Sequence, residues 1–270
     1  MEYPSLGSMI REKRSERGMT QQDVCEVLDW KDVYRLSEIE QGTRKPDLLV
    51  LRKLFVALRF GAEEQGLALY LSGYPPTEEE GDKWVNRLRD FIDSRDYAGY
   101  LHDFTWKLFY ANDRARRIFG LDDNTLQRRE NLLQLVLDPN NLAYDRVRNT
   151  PNWTEFLEAQ VASFKEEHIH RTNEPWFREL LAKLMQNDEF ARLWTELEEA
   201  SLLRLRRKMM VYGYNSILLP SDVTDNEAAE LRPYNIFNCP VVGDERFRLK
   251  LLLPARVEPE DVEQRRPVLA

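Results

Sequence analysis

The side chains able to do acid/base, nucleophilic or metal chemistry are few and scattered. The three histidines are His102, His168 and His170, and the two cysteines are Cys25 and Cys239. His168 and His170 stand beside Glu166 and Glu167, but positions i and i+2 of a helix do not share a face. That segment therefore reads as solvated and polar, and no metal site is expected in it. The sequence has no Gly-rich phosphate loop, no Gly-x-Ser-x-Gly and no His-Glu-x-x-His. Among 47 acidic residues a pair of carboxylates can always be found, and without geometry such a pair carries no chemistry. Neither an enzyme nor a cofactor is expected. The cysteines lie far apart and outside any Cys-x-x-Cys, so the expectation is free thiols in a reduced, cytoplasmic compartment. Cys25 reads as a small buried apolar residue and Cys239 as a strand residue.

Two kinds of recognition chemistry are better supplied. Aromatic residues make up 11% of the 270 residues. Trp106, Phe109, Tyr110, Trp153, Trp176, Phe177 and Trp194, with Met209, are candidates to line an apolar cavity, although aromatics at helical or alternate spacing more often fill a core. The basic run Arg204, Arg206, Arg207 and Lys208 either holds a carboxylate head group or lies in solvent. Near the N-terminus, Gln21 at a helix start and Arg44, Lys45, Lys31 and Arg35 are suited to phosphate oxygens. The net charge of −8 argues against a surface built to coat nucleic acid, so any DNA contact must be local. No apolar run approaches the roughly 20 residues that a bilayer requires, and no membrane partner is expected.

These side chains need elements to hold them. Turn formers and like charges replace apolar periodicity from Ser72 to Gly81, which predicts a first domain at 1–74, a linker at 75–81, a second domain at 82–257 and a loosely ordered tail at 258–270. The first part carries 11 basic and 12 acidic residues and is near neutral, which leaves the second acidic. Helical spacing predicts Leu6 to Arg17, stopped by Gly18. A second helix, Gln21 to Leu28, is capped by Thr20, with Val24, Val27 and Leu28 inward. Asp32 is expected to cap a third, Val33 to Gln41. A fourth opens at Pro46-Asp47, and a fifth spans Ala62 to Leu71.

Gly18-Met19-Thr20-Gln21, Leu28, Ser37-Glu38-Ile39-Glu40-Gln41-Gly42 and Arg44-Lys45-Pro46 closely resemble the helix-turn-helix domain of XRE (Cro/C1-type) transcription regulators. The resemblance covers roughly residues 5 to 71. It implies that Val33 to Gln41 is a recognition helix lying in the major groove of double-stranded DNA, with Val33, Tyr34, Ser37 and Glu38 facing base edges. Glu38 could then accept from the N4 amino group of cytosine, and Val33 could pack on a thymine methyl. The resemblance also implies a structural Arg14–Glu40 ion pair and a homodimer. This chain departs from the usual spacing by one extra residue between Leu28 and Glu40, with Trp30 in the widened turn.

Beyond the linker, Trp84, Leu88, Phe91 and Ile92 share one helical face. Tyr97 to Asp103 and Lys107 to Ala111 predict a hairpin, and Asn112 caps a helix that ends at Gly120. Helices at Trp176 to Met185 and Asp188 to Leu197 precede strands at Lys208 to Tyr212, Asn215 to Leu219, Tyr234 to Cys239 and Phe247 to Leu253. The segment Trp106 to Gly120, the run Asn131-Leu-Leu-Gln-Leu-Val-Leu-Asp-Pro139 and the helix headed by Trp153 resemble the MmyB-like regulators, whose C-terminal half is a PAS-like ligand-binding domain. Glu130 intervenes where the family usually reads Arg-Asn-Leu-Leu. The expected fold is α+β: an all-α five-helix helix-turn-helix domain plus a PAS-like α/β sensor domain with an antiparallel sheet. The resemblance implies a small apolar, fatty-acid-like ligand between sheet and helices. The alternative is a ligand-free dimerisation or protein-interaction module with a filled core.

Overall fold

The computed structural model describes residues 5–197, 216–220 and 231–254. Met209, the basic run at 204–208, the strand expected at 208–212 and the tail from 258 lie outside these residues. The chain divides into two compact units: Met1–Thr77 with Pro240–Arg248, and Glu78–Cys239 with the residues from Leu249 on.

Among the described residues the first unit contains five helices, α1 Leu6–Glu16, α2 Gln21–Val27, α3 Tyr34–Glu40, α4 Leu48–Leu58 and α5 Ala62–Leu71. Their ends follow local chemistry. The Thr20 hydroxyl accepts from the Asp23 N–H, and the Asp23 carboxylate accepts from the Thr20 N–H, a reciprocal capping box. Gly18 and Gly42 take the left-handed conformation after α1 and α3, at φ 64° and 74°. The N-cap of α3 is Val33 and not Asp32. Asp32 still accepts from the Tyr34 N–H at 3.0 Å, because its short carboxylate reaches two residues forward. Ile10, Cys25, Leu36, Leu51, Leu54 and Leu58 are buried at the centre of the bundle. Val27 is 61% exposed, against the expectation for α2, because Cys25 occupies the inward position beside Val24.

The segment Pro240–Arg248 also packs in this unit, which the domain boundaries expected at 82–257 did not foresee. Its Asp244 and Arg246 form a buried ion pair at 2.8 Å. The Arg248 guanidinium lies 5.2 Å from the Tyr70 ring centroid, and side-chain-free Gly66 of α5 leaves room for the Asp244 backbone.

The second unit opens with α6, Glu78–Asp93, so Glu78 to Gly81 form a helical turn and not a linker. Three glutamates in that turn favour the positive end of a helix, which is why a charged run read as linker starts one. A hairpin follows, β1 Ala98–Asp103 and β2 Leu108–Ala111, paired antiparallel. Then come α7 Asp113–Phe119, α8 Asp123–Arg128, α9 Leu132–Leu137, α10 Leu142–Arg148 and α11 Trp153–His168. After α12 Pro175–Leu184 and α13 Asp188–Glu196, the described chain returns as β3 Ser216–Pro220, β4 Leu231–Pro240 and β5 Phe247–Pro254. The five described strands form one sheet in the order β2-β1-β5-β4-β3, with β3 and β4 antiparallel. Asn112 caps α7 through the Ala115 N–H and also donates to the Ile92 and Tyr97 carbonyls, so one amide joins helix, hairpin and α6.

Candidate functional site

In the first unit, Glu40 holds the helices in register. Its carboxylate accepts from Arg14 at 2.7 and 3.1 Å and from the Gln21 amide at 2.8 Å, with only 2% of the side chain exposed. Arg14 also donates to the Met19 carbonyl. The ion pair expected between the first and third helices is therefore present, and it also engages the Gln21 amide expected on phosphate.

Tyr34, Ser37 and Glu38 of α3 and its C-cap residue Gln41 fall at i, i+3, i+4 and i+7, one helical face. Tyr34 is 76% exposed, and Glu38 and Gln41 are exposed beside it. Val33, expected to face base edges, is half-buried and packs on the core cluster. Arg35 lies 4.7 Å from the Trp30 ring centroid and 3.6 Å from Asp47, which ties it into the widened turn. Arg44 pairs with Glu38 at 3.1 Å, and Lys45 lies 4.8 Å from the Tyr74 ring centroid. Gln41 was missed in the sequence; its place seven residues after Tyr34 was the available signal.

In the second unit a cavity opens between the sheet and the α7–α11 layer. Tyr100 of β1, Trp106 of the hairpin turn and Leu108 of β2 line one side, and Leu132, Leu135 and Val136 of α9 face them. Phe119 of α7, Ala143 of α10, and Phe156 and Gln160 of α11 add to the wall, with Ile236 of β4 and Lys250 of β5. The space free of atoms is about 580 Å³, solvent at the mouth included.

Of the aromatic residues proposed from the sequence, Trp106 lines this cavity. Its indole N–H donates to Glu167 at 2.9 Å. Phe109 points to the other face of β2, against Gly81 and 4.8 Å from the Arg129 guanidinium. The Tyr110 hydroxyl donates to Asp93. The Trp153 indole donates to Glu189, and Trp176, Phe177 and Trp194 cluster around Phe164 and His168. These rings build the core beside the cavity. Tyr100, Gln160 and Lys250 went unseen because each sits on a strand or helix whose partner was not known.

His168 is fully buried, against the expectation of a solvated segment. The spacing Trp153, Leu157, Val161, Phe164, His168 shows why: it continues the inward stripe of α11. Both ring nitrogens lie 2.7 Å from carbonyl oxygens, of Phe164 and Phe104. Burial pulls its pKa down, whereas the two acceptors and Glu167 favour the charged ring. Burial raises Asp103 to about 6, opposed by the N–H groups of Thr105 and Lys107 and the Thr105 hydroxyl. On β5, Lys250 is pulled down to about 8 by burial. Among the described residues no group of three or more His, Cys, Asp or Glu side chains is placed to hold a metal ion.

Residues 85–210 match the MmyB-like transcription regulator ligand binding domain, and residues 10–65 match a helix-turn-helix domain. The chain carries both, the domain pair of an XRE/MmyB-type regulator: a DNA-binding helix-turn-helix regulator with a separate C-terminal domain of ligand-binding type. No curated protein matches it. Among the described residues no helix is long and apolar enough to cross a membrane.

Proposed function

We propose that this protein reads a DNA operator as a homodimer and that a small apolar, fatty-acid-like molecule in a PAS-like C-terminal domain modulates the reading. The observation that carries this is the apolar cavity of the second unit, which a filled interaction module would lack. The open five-stranded sheet with helices packed on it supports the PAS-like reading. Tyr34, Ser37, Glu38 and Gln41 are the base-edge readers, because they share one face of α3 and its C-cap on which Tyr34, Glu38 and Gln41 are exposed. Arg44 and Lys45 supply phosphate contacts, and Arg44 exchanges Glu38 for a phosphate on docking. Leu49 and Val56, exposed and seven residues apart on α4, support a subunit contact in the first unit. One helix covers one half-site, and a dimer covers two about 34 Å apart.

The test is native mass spectrometry of the freshly purified full chain, followed by solvent extraction. The reading expects a dimer mass and a lipid-like molecule that is retained or is taken up from a fatty-acid panel. A chain that stays at its bare mass throughout supports the interaction module instead.

A further inference from the structure

Among the described residues, no anion is in contact with the cation in the cavity. Lys250 is 7% exposed, and its ammonium lies 4.6 Å from the Trp106 ring centroid. Among the described residues no oxygen accepts a hydrogen bond from it and no carboxylate lies within 4 Å. Glu167 acts on it only at longer range and already accepts from the Trp106 indole. An ammonium has three donors and no acceptor, and a buried charge is costly unless paired. Among the described residues, the other polar groups lining the cavity are the Tyr100 hydroxyl, the Trp106 indole and the Gln160 amide, and the remaining lining side chains are hydrocarbon or aromatic ring.

We propose that the cavity selects an amphiphile with an anionic head, the carboxylate held by Lys250 with Gln160 beside it and the chain laid along Leu132, Leu135, Val136 and Phe156. This rests on the ligand-binding reading of the cavity. Lys250 lies beyond the residues 85–210 that match the ligand-binding domain, so the assignment comes from the geometry of this chain. A carboxylate fits better than a neutral alcohol of equal length because it removes the uncompensated charge as well as filling the space. A charge-assisted contact of this kind corresponds to about 10- to 100-fold in affinity.

The test compares dodecanoate with dodecanol by isothermal titration calorimetry on the full chain at pH 7, below the critical micelle concentration, for the natural protein and Lys250→Met. The expected result is tighter binding of dodecanoate by the natural protein, by at least about tenfold, and loss of that preference in Lys250→Met with dodecanol affinity kept. Retained dodecanol binding also reports that the variant's cavity is intact. Equal affinities in the natural protein overturn the head-group assignment while leaving the ligand reading standing, even if the variant fails to fold. An unchanged preference in Lys250→Met overturns the role of this lysine. Binding of neither probe overturns the ligand reading and this proposal with it.

Discussion

At the scale of single residues, the two units place their charges differently. Glu40 is a buried carboxylate with both oxygens paired, so its removal strands the Arg14 guanidinium and the Gln21 amide. Glu40→Ala is expected to lower the stability of the first unit by about 3 kcal/mol, read by urea denaturation. Glu38 is different, because its pair with Arg44 is half in solvent and has little worth as a stabiliser. Glu38→Ala is expected to leave the urea midpoint within error. It should also tighten binding to arbitrary duplex DNA several-fold by freeing Arg44, while weakening sequence preference in a pool selection. Lys250 gives a pH signature. Its folded pKa, about 8, lies below the ordinary lysine value, so both folded and unfolded forms are charged below pH 8 and the folded state bears the full cost of burial. That cost is relieved as pH rises from about 8 to about 10.5. Lys250→Met should therefore be more stable than the natural protein at pH 7, by roughly 2–3 kcal/mol, and the gap should close by pH 10.5. A gap independent of pH over this range would show that the buried charge is not its cause.

At the scale of elements, the junction between units gives the sharpest contrast between sequence and structure. Gly81 was read as linker because it follows Glu78-Glu79-Glu80, yet it is a buried helical residue whose missing side chain admits the Phe109 ring. A Cβ there would sit 1.9 Å from a ring carbon of Phe109. Gly81→Val is expected to cost the second unit about 1–3 kcal/mol by displacing that ring, measured as a lower thermal midpoint with the first unit unchanged. Elements bounded by their own residues were legible: α2 from its Thr20 cap, α5 from end to end, α7 from Asn112 to Gly120, and the hairpin of β1 and β2. What depends on distant partners was not. The inward face of α2 went to Cys25 over Val27, His168 joined the core through α11, and Pro240–Arg248 packed with the first unit. The cavity follows the same rule. Trp106 is among the aromatic candidates named from the sequence, whereas Gln160 and Lys250 come from segments about 90 residues apart that only the folded sheet brings to one wall.

At the scale of the whole molecule, an acidic protein that reads DNA must do so through a small face and with modest phosphate charge. Affinity for a selected duplex should fall as salt rises, with a shallow slope set by the few cations available near α3. An apolar cavity with a buried cation gives the other domain a reason to respond to an anionic amphiphile, and by linkage a ligand that alters DNA affinity must have its own affinity altered equally by DNA. The most direct measurement is fluorescence anisotropy of a duplex selected from a random pool, titrated with the full chain in the presence and absence of saturating dodecanoate at fixed salt. The account predicts a change in DNA affinity of at least several-fold, in one direction, matched by the same change in dodecanoate affinity when DNA is bound. Identical DNA titration curves with dodecanoate demonstrably bound in the cavity would contradict it.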